Sequence, residues 1–125
     1  MIQFTLPLKL ESLANAREHW TQKMRRARAQ RDCACGLTYT ALENLPQVNA
    51  LLAAIGHETI KHPKRVTITR VGKRKLDSDN LAISAKHVRD GIADALGVDD
   101  GDETKVQWHY KQEIGKEYKV FVEIK

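Results

Sequence analysis

The stretch LDSDNLAISAKHVRDGIADALGVDD, residues 76–100, decides the fold. Its apolar residues recur at alternating spacings of four and three, which is the pattern of one amphipathic helix, and they are Leu81, Ala85, Val88, Ile92 and Ala95. Asp79 is placed to cap the start of this helix, and Gly97 is placed to end it. The stretch therefore predicts a helix with an acidic segment at each end.

Strand patterns lie on both sides of this helix. Residues 1–10 alternate between apolar and polar, which predicts a half-buried strand. Pro7 predicts that this strand lies at an edge, because proline cannot donate a hydrogen bond to a neighbouring strand. β-Branched residues after Pro63 predict a second strand. Alternation over 106–110 and 118–124 predicts a C-terminal hairpin.

Two further helices are expected. The sequence from Ala14 to about Ala34 is helical in composition, and Gly36 is placed to end that helix. Its predicted buried stripe consists of Leu13, Ala16, Trp20, Met24 and Ala27. A weaker helix is expected within 37–62. The order of elements predicts a single α+β domain over 1–125, with a small mixed or mostly antiparallel sheet and helices packed on one side.

Composition restricts the class of protein. The formal net charge is +5, with 21 Lys and Arg against 16 Asp and Glu, which favours polyanionic partners. No run approaches the roughly 20 apolar residues that span a bilayer, and the N-terminus lacks a signal-peptide pattern. We therefore expect a cytoplasmic protein without membrane contact. Cys33 and Cys35 have no second pair of ligands nearby in sequence, so reduced thiols are expected rather than a zinc site.

The two acidic segments predict a metal site. Asp77 and Asp79 are two residues apart, and such residues at the end of a strand point to the same face. Asp100 is the natural third ligand, because the turn after the helix brings it back. Carboxylate oxygens are the ligands that Mg²⁺ prefers. Lys86 follows Asp79 by seven residues, nearly two helical turns, so its ammonium is placed to hold a phosphate.

This pattern is suited to phosphodiester hydrolysis assisted by a divalent cation. The alternative is a helix cap and a structural acidic turn without a metal. The sequence has no glycine-rich phosphate loop and no nucleophile elbow, so nucleotide triphosphate hydrolysis and a serine nucleophile lack support. Six basic residues are candidate phosphate contacts, with a merely solvated surface as the alternative: Arg17, Arg25, Arg28, Lys73, Arg74 and Lys75.

Three features together resemble the RusA family of Holliday junction resolvases. They are the Asp-x-Asp-Asn motif that starts at Asp77, the lysine Lys86, and the run from Arg89 to Asp100. The resemblance is strongest over residues 64–112. It implies a RusA-like α+β fold and a homodimeric endonuclease from a phage, prophage or bacterium. Such enzymes bind four-way DNA junctions and cut two opposed strands with Mg²⁺ or Mn²⁺.

The resemblance also implies the roles of individual residues. Asp77, Asp79 and Asp100 match the metal-binding aspartates of the family, and Lys86 matches its essential lysine. The family lysine follows the second aspartate by four residues, whereas Lys86 follows by seven and Ile83 occupies the shorter spacing. We expect Mg²⁺-dependent resolution of Holliday junctions in DNA recombination and repair. The alternatives are a non-catalytic nucleic-acid-binding module and a nuclease for other branched DNA.

Overall fold

The computed structural model describes residues 2–12, 19–43 and 64–125. This part of the chain contains four strands and three helices. In chain order they are β1 (Ile2–Leu6), α1 (Trp20–Glu43), β2 (Lys64–Gly72), α2 (Ser78–Ser84), α3 (Lys86–Leu96), β3 (Val106–Ile114) and β4 (Lys119–Ile124). The predicted weaker helix falls mostly within 44–63, outside the described residues. The predicted start of the first helix at Ala14 also lies outside the described residues.

The four strands form one mixed sheet in the order β1-β4-β2-β3. β4 is antiparallel to β1 and to β2, whereas β3 is parallel to β2. The predicted α+β class with a small mixed sheet is confirmed, and β1 lies at an edge as Pro7 indicated. The predicted hairpin of β3 with β4 is wrong, because β2 lies between these two strands.

The connection from β3 to β4 crosses the end of β2. There the Gly115 N–H donates to the carbonyl oxygen of Gly72 at 2.9 Å. A Cβ on Gly115 would lie 2.7 Å from Cγ1 of Val71, so a larger residue has no room at this crossing. A close crossing at a glycine therefore replaces the expected two-strand turn.

One face of the sheet forms the core. Alternate residues of three strands pack there against Val88, Ile92 and Leu96 of α3. These strand residues are Val66, Ile68, Val106, Val120, Val122 and Ile124. α1 contacts both α3 and β1. The opposite face carries polar residues such as Gln3, whose amide donates to the Glu123 carboxylate at 3.2 Å. The helices of the described part therefore cover one side of the sheet, as predicted.

The predicted helix after the acidic motif is divided into α2 and α3. The break falls at Ala85, where φ is −91° and ψ is 0°. The Ser84 hydroxyl donates to the Leu81 carbonyl at 2.7 Å, and the Ala85 N–H contacts the same carbonyl at 3.2 Å. Such side-chain competition for a helical carbonyl disturbs a helix. Gly97 ends α3 with φ of 70°, as predicted.

α1 differs from the sequence prediction in two ways. It continues through Gly36, which lies exposed inside the helix. Trp20 and Met24 were predicted to be buried, but they are 69% and 48% exposed. The buried residues of α1 are Gln30, Ala34 and Thr38. The second half of α1 therefore packs on the domain, and the first half carries its basic residues on an exposed surface.

The crossing of α1 and α3 is centred on Gly91. A Cβ at Gly91 would lie 2.3 Å from the Arg31 carbonyl oxygen and 2.9 Å from Cβ of Ala34. Next to this contact, the Arg31 guanidinium binds both carboxylate oxygens of Asp94, with Nε–Oδ2 at 2.7 Å and Nη2–Oδ1 at 3.0 Å. Close backbone packing and a forked ion pair therefore fix α3 against α1.

Candidate functional site

Two side chains anchor the loop that leads into the acidic motif. Arg70 is only 3% exposed, and its guanidinium donates to the carbonyl oxygens of Leu10 at 2.8 Å and Arg74 at 2.7 Å. The Gln112 amide accepts from the Leu76 N–H at 2.9 Å and donates to the Leu76 carbonyl at 2.7 Å. The residue immediately before the first aspartate is therefore tied to β3.

Asp77 and Asp79 lie at the start of α2 rather than at the end of a strand. β2 ends at Gly72, Asp77 is the N-cap residue of α2, and Asp79 lies in its first turn. The predictions of a strand-end pair and of a cap at Asp79 are therefore wrong. The helix begins one residue after Asp77 because the Leu81 N–H bonds to the Asp77 carbonyl at 2.8 Å. Both side chains are exposed, and carboxylates are favoured in the first turn of a helix.

Asp100 lies in a network of aromatic and cationic groups. The Arg89 guanidinium donates to Oδ2 of Asp100 from Nε at 3.0 Å and from Nη2 at 2.8 Å. Its Nη1 donates to the Tyr110 hydroxyl at 3.1 Å, and the guanidinium lies 5.5 Å from the centre of the Trp108 ring. The Trp108 indole N–H donates to the main-chain carbonyl of Asp100 at 2.9 Å. Asp100 is therefore held through both its side chain and its backbone.

This network shifts the pKa of Arg89. Burial lowers the pKa of Arg89, but the hydrogen bonds to Tyr110 and Asp100 outweigh burial and raise the pKa overall. Like any arginine, Arg89 is charged throughout the pH range in which proteins are normally studied. Its positive charge faces the Asp100 carboxylate in a partly exposed setting, since the two side chains are 32% and 34% exposed.

A cleft of about 470 Å³ opens beside Asp100. Arg89, Asp100, Trp108 and Tyr110 line it together with neighbouring residues of β3. β3 is the outermost strand on this side of the sheet formed by the described residues. The cleft therefore combines a charged pair, two aromatic rings and the edge of a strand.

The two acidic segments lie over the same face of β3. Trp108 holds Asp100, and Gln112 holds Leu76. These two β3 residues are four apart, so they point to the same face and their Cα atoms are roughly 13 Å apart along the strand. β3 thus contacts both acidic segments, through Trp108 at Asp100 and through Gln112 at Leu76.

The three aspartates do not form a ready ligand set in this arrangement. Within 2–12, 19–43 and 64–125, no group of three or more His, Cys, Asp or Glu side chains is placed to hold a metal ion. Their carboxylate oxygens suit Mg²⁺ chemically, but their positions do not fit a single ion bound by all three. The metal-binding roles of Asp77, Asp79 and Asp100 remain predictions.

Lys86 is the first residue of α3, and its side chain is exposed. The sequence argument placed Lys86 on the same side of one helix as Asp79. The helix is interrupted at Ala85 between them, so they do not share one continuous helix, and the role of Lys86 stays a prediction. Ile83, at the shorter family spacing, lies near the end of α2 and is 60% exposed.

The candidate phosphate contacts form two groups in the described chain. Lys73, Arg74 and Lys75 are exposed in the loop that precedes Asp77. Arg25 and Arg28 are exposed on the first half of α1. Arg17 lies outside the described residues. One basic group is therefore adjacent in sequence to the acidic motif, and the other lies on the exposed first half of α1.

Sequence reasoning missed the roles of Arg89 and Gln112. A usable signal was the alternation of Trp108, Tyr110 and Gln112, which puts polar atoms on the covered face of β3. Polar atoms on a covered face require partners. Leu76, Asp100 and Arg89 supply them.

The two cysteines are free thiols on α1. Burial raises the pKa of Cys33, and burial is also the main reason that the pKa of Cys35 is raised. Both thiols are therefore protonated near neutral pH, which makes them weak nucleophiles.

Comparisons with protein-family models, curated proteins and solved structures give no match for this chain. In the described part, no helix has the length and apolar character needed to cross a membrane.

Proposed function

We propose that this chain is a RusA-like, structure-selective DNA endonuclease that resolves four-way Holliday junctions by paired strand cleavage. The observation that carries the proposal is the common anchorage of the two acidic segments. Gln112 ties the residue before Asp77 to β3, and Trp108 ties Asp100 to the same face of that strand. This arrangement supports a joint role for residues that the sequence separates by an entire helix.

Cleavage of a phosphodiester bond requires neutralised charge at the phosphate and an activated water. A divalent cation, Mg²⁺ or Mn²⁺, would supply both; its candidate ligands are Asp77, Asp79 and Asp100, which are not placed around a single ion in this structure. Lys86, exposed at the start of α3, contributes a positive charge for a phosphate oxygen.

DNA binding in this proposal depends on the exposed cations. Lys73, Arg74 and Lys75 contact phosphates near the acidic motif, while Arg25 and Arg28 contact phosphates farther away. A two-fold homodimer presents two identical sites to the two equivalent strands of a junction. Paired cuts follow from that symmetry.

The test uses Asp79→Asn on a labelled four-way junction. This variant is expected to lose cleavage and to retain junction binding at or above the wild-type level, because the lost carboxylate no longer repels phosphate. Asp32→Asn is the matched control, since it makes the same charge change at an exposed position on α1. Full cleavage by Asp79→Asn would refute the role of the acidic motif.

A second candidate is a nucleic-acid-binding module without catalysis. Two observations favour it: Asp100 is already paired with Arg89, and the described residues provide no three-ligand metal group. This module would bind junctions equally with Mg²⁺ or EDTA and would leave every strand intact. A nuclease for other branched DNA would instead cut a replication fork or a flap in preference to the junction.

A further inference from the structure

The start of α1 is exposed on all sides in the described part of the chain. Every residue in 20–25 is exposed, and these residues cover more than one helical turn of about 3.6 residues. Trp20 is 69% exposed and Met24 is 48% exposed. The two side chains are neighbours on the helix surface, because they are four residues apart. α1 therefore presents a large apolar pair to solvent.

The same part of α1 is strongly basic. Residues 20–31 contain no carboxylate and five cations, which are Lys23, Arg25, Arg26, Arg28 and Arg31. The formal net charge of the whole chain is also +5, so the excess of positive charge in this segment equals that of the entire protein. Arg31 is paired with Asp94, whereas Arg25 and Arg28 are exposed. The apolar pair therefore lies in a positively charged surface, which favours a polyanionic partner.

The cations and the apolar pair meet at a small open depression. It has a volume of about 190 Å³ and is lined by Thr21, Met24, Arg25 and Arg28. Pockets that enclose a whole small molecule typically have about 300–1,000 Å³, so this depression suits a single group such as a phosphate. An exposed indole beside cations is suited to an aromatic base that follows such a phosphate along a nucleic-acid strand.

Two other occupants fit this surface less well. A helix that lies on a membrane needs a continuous apolar face, but Arg28 and Arg31 follow Met24 on the same side of α1. A second copy of the chain that docked through the same segment would bring an equal excess of positive charge, and like charges repel. Charge complementarity therefore favours nucleic acid.

We propose that the first half of α1 binds single-stranded nucleic acid, with an unpaired base stacked on the Trp20 indole and adjacent phosphates in contact with Arg25 and Arg28. Stacking on an aromatic side chain accepts any base, since every base has a π-face. This inference rests on the proposed function for its nucleic-acid partner, but it requires neither a metal ion nor cleavage. It adds to the proposed phosphate contacts a residue that distinguishes unpaired from paired bases.

The test measures binding of a fluorescein-labelled single-stranded DNA oligonucleotide of mixed sequence to the full-length chain, by fluorescence anisotropy in EDTA. Trp20→Ala is expected to weaken binding roughly 5–150-fold, because the stacked base is lost. Trp20→Phe retains a ring and should lose less. A blunt DNA duplex should bind to wild type and to Trp20→Ala with the same affinity, because its paired bases are not available for stacking.

Tyr39→Ala is the matched control. It removes another aromatic side chain of α1, which is 50% exposed and lies towards the end of the helix, where the last turn has no basic residue. This variant should bind the oligonucleotide as wild type does. The chain has two tryptophans, so the oligonucleotide should also quench the emission of wild type more than that of Trp20→Phe, in which only Trp108 remains.

Several results would overturn the inference and leave the proposed function standing, provided that wild type still cuts the four-way junction in Mg²⁺. They are unchanged oligonucleotide binding by Trp20→Ala, an equal loss of duplex binding, and a loss of binding to phosphatidylserine vesicles alone. If wild type binds neither the oligonucleotide nor the junction, both the inference and the proposed function fail. If Trp20→Ala does not fold, the double variant Arg25→Gln/Arg28→Gln decides, and unchanged oligonucleotide binding by that variant refutes the surface.

Discussion

The crossing of α1 and α3 predicts a specific effect of Gly91→Ala. The added Cβ would lie 2.3 Å from the Arg31 carbonyl and 3.0 Å from the Cys35 nitrogen. Both contacts involve main-chain atoms of α1, so the two helices must separate to accept the methyl group. The substitution therefore disturbs the contact that positions α3, the helix that carries Arg89.

The expected magnitude follows from two opposing effects. Overpacking in a well-packed interior costs typically about 1–3 kcal/mol, and the short distance at Gly91 favours the upper end. Alanine recovers about 1 kcal/mol relative to glycine inside a helix. The net loss in the free energy of unfolding is about 2 kcal/mol, which lowers the melting temperature of a domain of this size by roughly 8 °C.

Gly36→Ala is the matched control for this change. Gly36 lies inside α1, but a Cβ there would meet nothing within 4 Å. This variant should gain about 0.5–1 kcal/mol, since only the helix propensity changes. Urea and thermal unfolding of both variants provide the measurement. A Gly91→Ala protein that is as stable as wild type would refute the described crossing.

Two other sites give testable predictions. Gln112→Ala removes both hydrogen bonds to Leu76 and should lower the free energy of unfolding by about 1–3 kcal/mol. The control is Lys111→Ala at the exposed neighbouring position, which should change this free energy little. Equal effects of the two substitutions in urea titrations would contradict the anchoring of Leu76 by Gln112. Burial lowers the pKa of His87 below its ordinary value of 6.5. The contribution of His87 to stability is therefore present above pH 6.5 and is lost as the pH falls through its lower pKa in the folded state. The reason is that, as the pH falls, the histidine takes up a proton in the unfolded chain before it does so in the folded protein. His87→Gln should have a flatter profile of unfolding free energy against pH, and coincident profiles would argue against this role.

Local patterns predicted much of the fold. Alternation and β-branched residues identified all four strands of the described sheet, and Gly97 correctly marked the end of α3, because each signal depends on a few adjacent residues. The pairing of β3 with β2 was not predictable in the same way. A four-residue connection between β3 and β4 ordinarily indicates a hairpin, and only the crossing over β2 at Gly115 excludes it.

Helix boundaries and faces were less accessible from sequence. The pattern after Asp79 has a continuous helical period, yet the hydrogen bond from Ser84 accompanies a break that periodicity does not record. Trp20 and Met24 have the spacing of a buried stripe but lie on the part of α1 that is exposed. Burial depends on which half of a helix contacts the domain, and spacing alone does not determine that.

The candidate site was also only partly predictable from the sequence. Asp77, Asp79 and Asp100 were evident as acidic positions from sequence. The partners Arg89 and Gln112 act over separations of 11 and 36 residues, so their contacts depend on the folded sheet. A forked contact to one oxygen, as between Arg89 and Asp100, is a property of geometry that no residue pattern specifies.

The central claim is most directly tested by strand-by-strand analysis of four-way junction cleavage. Each strand is labelled in turn and incubated with wild-type protein in Mg²⁺, Mn²⁺ or EDTA. The proposed function predicts symmetric cuts in two opposed strands that require the ion and disappear in Asp79→Asn, but persist in Asp32→Asn. Bound but uncut junctions in every ion would contradict it.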